Sequence, residues 1–283
     1  MLIAAAFWGL SGVFAQFLFQ SRGFEPDWLV CIRLFIPGMI LLAISATQKG
    51  LSSIFTVWRH DAFKLFIYSV FGMMAVQLTF FLTIKHSNAA TATVLQFVNP
   101  VFIAIALSVM LKKLPSKRML IAITIALLGT FFVATHGRIG TLTITRPALF
   151  WGITSAVASA FYTLYSVKLI RDWGGTLIVG WAMLVGGIVL GLTVNPFEIS
   201  GQWDILSFLS VGYILFFGSL LTFYLFLMGV QYIGGAKASV LSCAEPLAAA
   251  VFSVILLNTS FTGMDWLGTF CITTAVLILA RVK

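Results

Sequence analysis

The chain has 283 residues, 60% of them apolar and 9% charged, against about 45–50% and 25% in a typical soluble domain. So few charges cannot coat a water-soluble fold of this size, and with a mean hydropathy of +1.07 a soluble enzyme, a disordered chain and a secreted disulfide scaffold are excluded. The formal charge of +9, from 17 Lys and Arg against 8 Asp and Glu, falls mostly in short connections between apolar runs; it reads as topogenic charge facing anionic headgroups, not as a nucleic-acid surface.

A membrane-spanning helix needs about 20 apolar residues. The gaps between charged residues predict ten, near 2–20, 28–47, 63–84, 88–111, 117–135, 147–168, 176–194, 205–230, 234–257 and 263–281, with Arg33, Lys237 and Glu245 inside spans. The first has no Lys or Arg before it and no clear small-residue cleavage site after it, so it reads as a helix and not as a secretory leader. Trp8, Gly12 and Gln16 recur every four residues and share one face of it. Arg33, some five residues into the second span, is expected to snorkel to the outer headgroups.

In the fourth span Gln96 and Asn99 lie on one side, and Pro100 removes an N–H and frees the Gln96 carbonyl. Non-helical backbone at membrane depth survives only where protein or water satisfies it. Two readings stay open: a polar solute site between two halves of the protein, or a hinge with interhelical hydrogen bonds. Trp151, Ser155 and Ser159 line the sixth span, joined by Tyr162 and Ser166, and Tyr224 lies in the eighth. Small polar residues mixed with rings suit either a solute cavity or tight helix packing. Trp8 and Trp151 could equally be interfacial anchors.

Glu245 is the sharpest feature, set among Leu241, Ala244, Pro246 and Leu247 in the ninth span, with Ser242 three residues earlier. A carboxylate at that depth costs on the order of 3 kcal/mol unless paired or protonated. It reads as a proton site or a counter-ion for a cationic solute, against the alternative of a bridge between helices. Pro246 repeats the role of Pro100. Cys31, Cys243 and Cys271 lie inside apolar runs without metal-ligand spacing, and His60, His86 and His136 fall at span ends or in connections. No metal or cofactor is implied.

With the N-terminus inside, 11 Lys and Arg fall in cytoplasmic segments and 4 outside, which places both termini in the cytoplasm. A shift of 146 residues aligns 90–111 with 236–257 at seven of 22 positions, Pro100 on Pro246 among them, and lays Gly72 on Gly218; a shift of 143 lays Phe7-Trp8-Gly9 on Phe150-Trp151-Gly152. The chain then reads as an all-α integral membrane protein of ten transmembrane helices, built as two five-helix repeats, 1–140 and 147–283. Five is odd, so the second repeat is inverted, a construction typical of secondary transporters.

Those motifs, with Arg33-Leu34-Phe35, Pro100-Val101-Phe102 and Glu245-Pro246, resemble the EamA-type transporters of the drug/metabolite transporter superfamily over nearly the whole chain. The resemblance implies ten helices as five plus five and transport of a metabolite or drug-like solute, with direction open. Where members often carry an acidic residue after the fourth and ninth helices, Lys112-Lys113 and Asn258-Thr259 stand here.

The expected function is a secondary active transporter for an amino acid or organic cation in the cytoplasmic membrane, working by alternating access as a monomer or homodimer, with membrane lipids around it. A channel or lipid scramblase is the alternative. An enzyme is not expected: HExxH, paired intramembrane aspartates and a nucleotide loop are all missing from the sequence.

Overall fold

Helix starts and stops follow the punctuation of the sequence. The structure is a computed structural model that describes residues 1–112, 116–135, 144–196, 198, 201–233, 241 and 244–280. Among them run α1 (Leu2–Ser21), α2 (Pro26–Lys49), α3 (Leu51–Ile54), α4 (Thr56–Ile67), α5 (Ala75–His86), α6 (Ala89–Gln96) and α7 (Asn99–Leu111). There follow α8 (Lys117–Thr135), α9 (Arg146–Trp173), α10 (Gly175–Gly191), α11 (Ile205–Leu215), α12 (Thr222–Ile233), α13 (Ala244–Leu257) and α14 (Gly263–Ala280), and no strand occurs among the described residues. Prolines stand in the first turns of α2, α7 and α9, where the missing N–H has no intrahelical partner to lose.

Among the described residues, six stretches are long and apolar enough to cross a bilayer: Leu2–Ser21, Pro26–Gln48, Leu51–His86, Ala89–Met110, Arg146–Trp173 and Ile205–Phe226. Gly175–Gly191, Ala244–Leu257 and Gly263–Ile278 are shorter apolar helices. Large apolar side chains stand outward all round, among them Phe63, Val109, Phe208 and Ile255, a surface that suits hydrocarbon and not water.

Two π-helical turns, Tyr68–Met74 and Phe216–Leu221, join α4 to α5 and α11 to α12 without breaking either helix. A wide turn of this kind leaves carbonyls outside the regular ladder, and such turns are frequent at functional sites.

The helices pair closely as α2 with α10, α8 with α14, α1 with α13, α9 with α5 and α6, and α1 with α11. In lipid, helix association depends on van der Waals contact and not on the hydrophobic effect, so small residues bring backbones together. A Cβ added at Gly38 would lie 2.6 Å from the Leu184 nitrogen, one at Gly129 2.7 Å from the Gly268 carbonyl oxygen, and one at Gly9 2.8 Å from the Ala249 nitrogen. A continuous core, including Leu18, Leu34, Phe81, Ile178 and Met183, fills the space between α1, α2, α5 and α10.

Polar contacts gather at the helix ends. Arg22, just after α1, pairs with Asp204 at 2.8 Å, and Asp204 also caps α11 through the Ser207 N–H at 2.8 Å. At the opposite end of the bundle, the Trp173 indole donates to Asp61 at 3.0 Å and the Trp181 indole to the Ile54 carbonyl at 2.8 Å.

Candidate functional site

The fourth predicted span is interrupted: α6 stops at Gln96 and α7 starts at Asn99, with Pro100 in its first turn. Across the break the Phe97 N–H reaches the Thr93 carbonyl at 3.0 Å and the Val101 N–H the Val98 carbonyl at 2.9 Å. The two polar side chains expected on one side of this span both turn to α9. Gln96 Nε2 donates to Ser155 Oγ at 2.8 Å and Asn99 Nδ2 to Ser159 Oγ at 2.6 Å.

Glu245 stands in the first turn of α13, half-buried, where that helix crosses α1. Its backbone carbonyl lies 3.0 Å from where a Gly9 Cβ would be, so the carboxylate-bearing turn touches the α1 backbone directly. Its side chain has no hydrogen bond or ion pair among the described residues. Buried Pro246 follows it. Ser242 and Lys237 lie outside the described residues.

Arg33 does not reach the headgroups. It is 3% exposed and points to the π-helical turn between α11 and α12. Its Nε donates to Ser219 Oγ at 2.9 Å and its Nη2 to the Gly218 carbonyl at 3.2 Å, while its guanidinium carbon lies 4.7 Å from the centre of the Phe81 ring. The expectation of snorkelling fails because the wide turn offers acceptors, Phe81 offers a π face, and Glu245 supplies an opposite charge that acts on Arg33 without a direct ion pair.

Of the aromatic candidates, Trp8 packs on Phe223 and Phe226 of α12, with centroids at 5.3 and 5.5 Å. Tyr162 of α9 stacks on Tyr68 of the first π turn at 5.3 Å and 23°. Trp151 packs edge-on against Phe150. Tyr224 is 40% exposed and lines a wholly apolar lateral recess of about 410 Å³ with Ile44, Phe216, Phe217, Leu220 and Leu221. Gln16 is a clasp: its Oε1 accepts from the Ala89 N–H at 2.9 Å, and its Nε2 donates to Gln20 at 3.1 Å and Thr259 at 3.3 Å.

The structure therefore sets Glu245 against Gly9 on one side of α1, Arg33 with the Gly218–Ser219 turn that meets α1 at Ser11, and Gln96, Asn99, Ser155 and Ser159 at the α9 seam. Sequence reasoning missed Ser11, Ser219 and Tyr68. The one signal that pointed toward them was the alignment of Gly72 on Gly218, which marks both wide turns.

A chain of stacked apolar helices with charged groups held inside is a multi-pass membrane protein. The model of the EamA-like transporter family matches it twice, over residues 1–135 and 146–281; the chain belongs to this family. It is 45% identical over 286 residues, covering 99% of this chain and 93% of the relative, to the uncharacterized inner membrane transporter YicL of Salmonella typhimurium. It is 24% identical over 241 residues to the uncharacterized transporter YyaM of Bacillus subtilis, covering 81% and 76% of the two chains. One crystal structure of a protein superposes with a TM-score of 0.63 over 97% of this chain and 95% of its own at 16% identity, a likeness of fold alone.

Proposed function

We propose that this chain is a secondary active transporter that moves a small organic solute, an amino acid or organic cation, across the cytoplasmic membrane by alternating access. The observation that carries the reading is the Glu245 carboxylate, which has no hydrogen bond or ion pair among the described residues where α13 meets α1. An intramembrane carboxylate of that kind is costly and serves as a proton or counter-ion site by default.

Alternation requires two exchangeable halves, and three observations support them. The family model matches two successive stretches. A shift of 146 residues lays 70–74 of the first π turn on 216–220 of the second. Taking the ten predicted spans as five plus five, exchanging the halves turns the α1–α13 pair into the α9–α6 pair and the α9–α5 pair into the α1–α12 pair, and returns α2–α10 and α8–α14 to themselves. The basic residues support cytoplasmic termini, and the name of the Salmonella relative supports an inner-membrane location.

The test is a thermal-stability screen of the detergent-purified protein and its Glu245→Gln variant against amino acids, quaternary ammonium compounds and nucleosides, followed by flux of each hit into proteoliposomes. A ligand at 100 times its Kd raises stability by about 2.7 kcal/mol. Saturable flux driven by a pH or solute gradient supports the reading. Leak of small ions through the reconstituted protein would replace it with a channel.

A further inference from the structure

The third long apolar stretch, Leu51–His86, has 36 residues. At 1.5 Å per residue that is about 54 Å of helix, whereas the hydrocarbon to be crossed is about 30 Å thick. The surplus lies at its start, between two bends. Gly50, at φ 85° and ψ 147°, turns the chain out of α2. Asp61, at φ −133° and ψ 27°, departs from helical geometry inside α4, and the part after it, 62–86, is long enough to cross by itself.

Between the bends the chain stays helical through Phe55, at φ −87° and ψ −10°. Turning by about 100° per residue, its side chains fall into three sectors. Ile54 and Val57 are buried and face the protein with Trp58. The Ile54 carbonyl accepts from the Trp181 indole of α10 at 2.8 Å, and the Trp58 ring packs edge-on against the same indole at 5.4 Å. Leu51 and Phe55, four residues apart on the adjoining sector, are 69% and 51% exposed. Ser52, Arg59 and His60 form the third sector, all exposed. Arg59 has no ion pair among the described residues.

Water does not suit Leu51 and Phe55, and hydrocarbon does not suit Arg59; the boundary between them suits all three. Trp173 stands at the same level, beside His60 and Asp61, and with Trp58 and Trp181 it makes the cluster of rings with one polar atom that collects at membrane interfaces. The corresponding link of the second half, 192–204, is built otherwise: it has no Lys or Arg and carries Glu198 and Asp204. On the proposed topology the two links lie on opposite sides of the membrane, and the link with the cation lies on the side where anionic lipid is concentrated.

We propose that residues 51–60 form an interfacial helix along the cytoplasmic membrane surface, with Leu51 and Phe55 in the edge of the hydrocarbon and Arg59 on the phosphate of an anionic lipid. The helix grips α10 through Trp181, and Asp61 just beyond it takes the Trp173 indole at the end of α9. A headgroup held at Arg59 therefore braces α9 and α10 where they join. The proposal needs a membrane around the protein and does not depend on the transport reading.

The test places the full-length protein in lipid nanodiscs, which leave both faces open to water. Leu51→Cys, Ser52→Cys, Phe55→Cys and His60→Cys are each labelled with a charged maleimide, and labelling of the unsubstituted protein gives the background from its own cysteines. Positions 52 and 60 are expected to react at least tenfold faster than 51 and 55, which the protein leaves exposed and lipid alone shields. Four equal rates, fast or slow, overturn the interfacial placement.

For the headgroup, the Tm is read in discs of phosphatidylcholine alone and of phosphatidylcholine mixed with phosphatidylglycerol. The anionic lipid is expected to raise the wild-type Tm by about 2–4 °C. Arg59→Ala loses most of that rise and Arg59→Lys keeps it, while all three proteins melt together in phosphatidylcholine alone. No rise, or a rise that Arg59→Ala keeps, overturns the headgroup assignment. An equal rise from inorganic phosphate in phosphatidylcholine discs overturns the lipid as the source of the phosphate.

Discussion

Two seams of this protein correspond under the repeat and are finished differently. At the α6/α7–α9 seam the polar side chains are joined in pairs: Gln96 holds Ser155 and Asn99 holds Ser159. A shift of 146 residues puts Glu245 in the place of Asn99, and a shift of 143 puts Gly12 and Gln16 in the places of Ser155 and Ser159. Gln16, however, is engaged with Ala89 and Thr259, and the α13–α1 seam closes on Gly9 instead. One seam thus spends its polar groups on joining helices. At the other, the Glu245 carboxylate has no hydrogen bond or ion pair among the described residues, and in the proposed function it takes a proton or a solute.

The largest effect that would break this comparison is on function. Glu245→Gln should cut pH-gradient-driven uptake into proteoliposomes by on the order of tenfold, within the usual range for coupled sites, whereas Asn99→Ala should lower stability and leave the coupling intact. If both variants uncouple transport alike, the two seams are not functionally distinct.

Next comes packing. Gly9→Ala pushes a methyl group into the α13 backbone and should cost about 1–3 kcal/mol, read as a lower Tm. Gly152→Ala meets the Leu95 side chain instead, which can turn aside, and the gain in helix propensity of about 1 kcal/mol offsets the strain; its Tm should stay near that of the wild type. A smaller effect is expected at the satisfied seam, where Ser159→Ala removes one hydrogen bond, about 1 kcal/mol, and should lower the Tm without altering solute affinity.

The smallest effect lies outside both seams. The Arg22 guanidinium, then the Ser207 N–H and hydroxyl, hold the Asp204 carboxyl down at about 2. A depressed carboxyl adds stability above its unfolded pKa and loses it as the pH falls through the folded value. The Tm profiles of wild type and Asp204→Asn should therefore run parallel from about pH 5 to 8 and converge only below about pH 4.

Much of the scaffold was legible because hydropathy and charge are local properties: each stretch without Lys, Arg, Asp or Glu carries helix in the structure. That Gln96 and Asn99 share one side of their span was legible for a related reason, since three-residue spacing fixes the side of a helix; that this side meets Ser155 and Ser159 of α9 was not. Arg33 was not legible. Whether an arginine near a helix end snorkels or buries depends on what faces it, and Ser219 and Phe81 are distant in sequence. The same holds for Tyr224, which turns to the lateral recess. The π turns leave no mark in composition, because the wide turn is set by packing against α9 and α1 and not by a breaker residue.

One connection in the fold bears on how the protein is made. Gly174 alone separates α9 from α10, at φ 92°, a backbone angle that side chains rarely adopt. A link of one residue leaves no loop to be carried across the bilayer by itself, so the two helices must enter as a hairpin. Lys168 and Arg171 sit just before its tip, and such charges resist translocation. On the proposed topology, with the tip of this hairpin in the cytoplasm, one glycine and two basic side chains would hold both helices to a single insertion step.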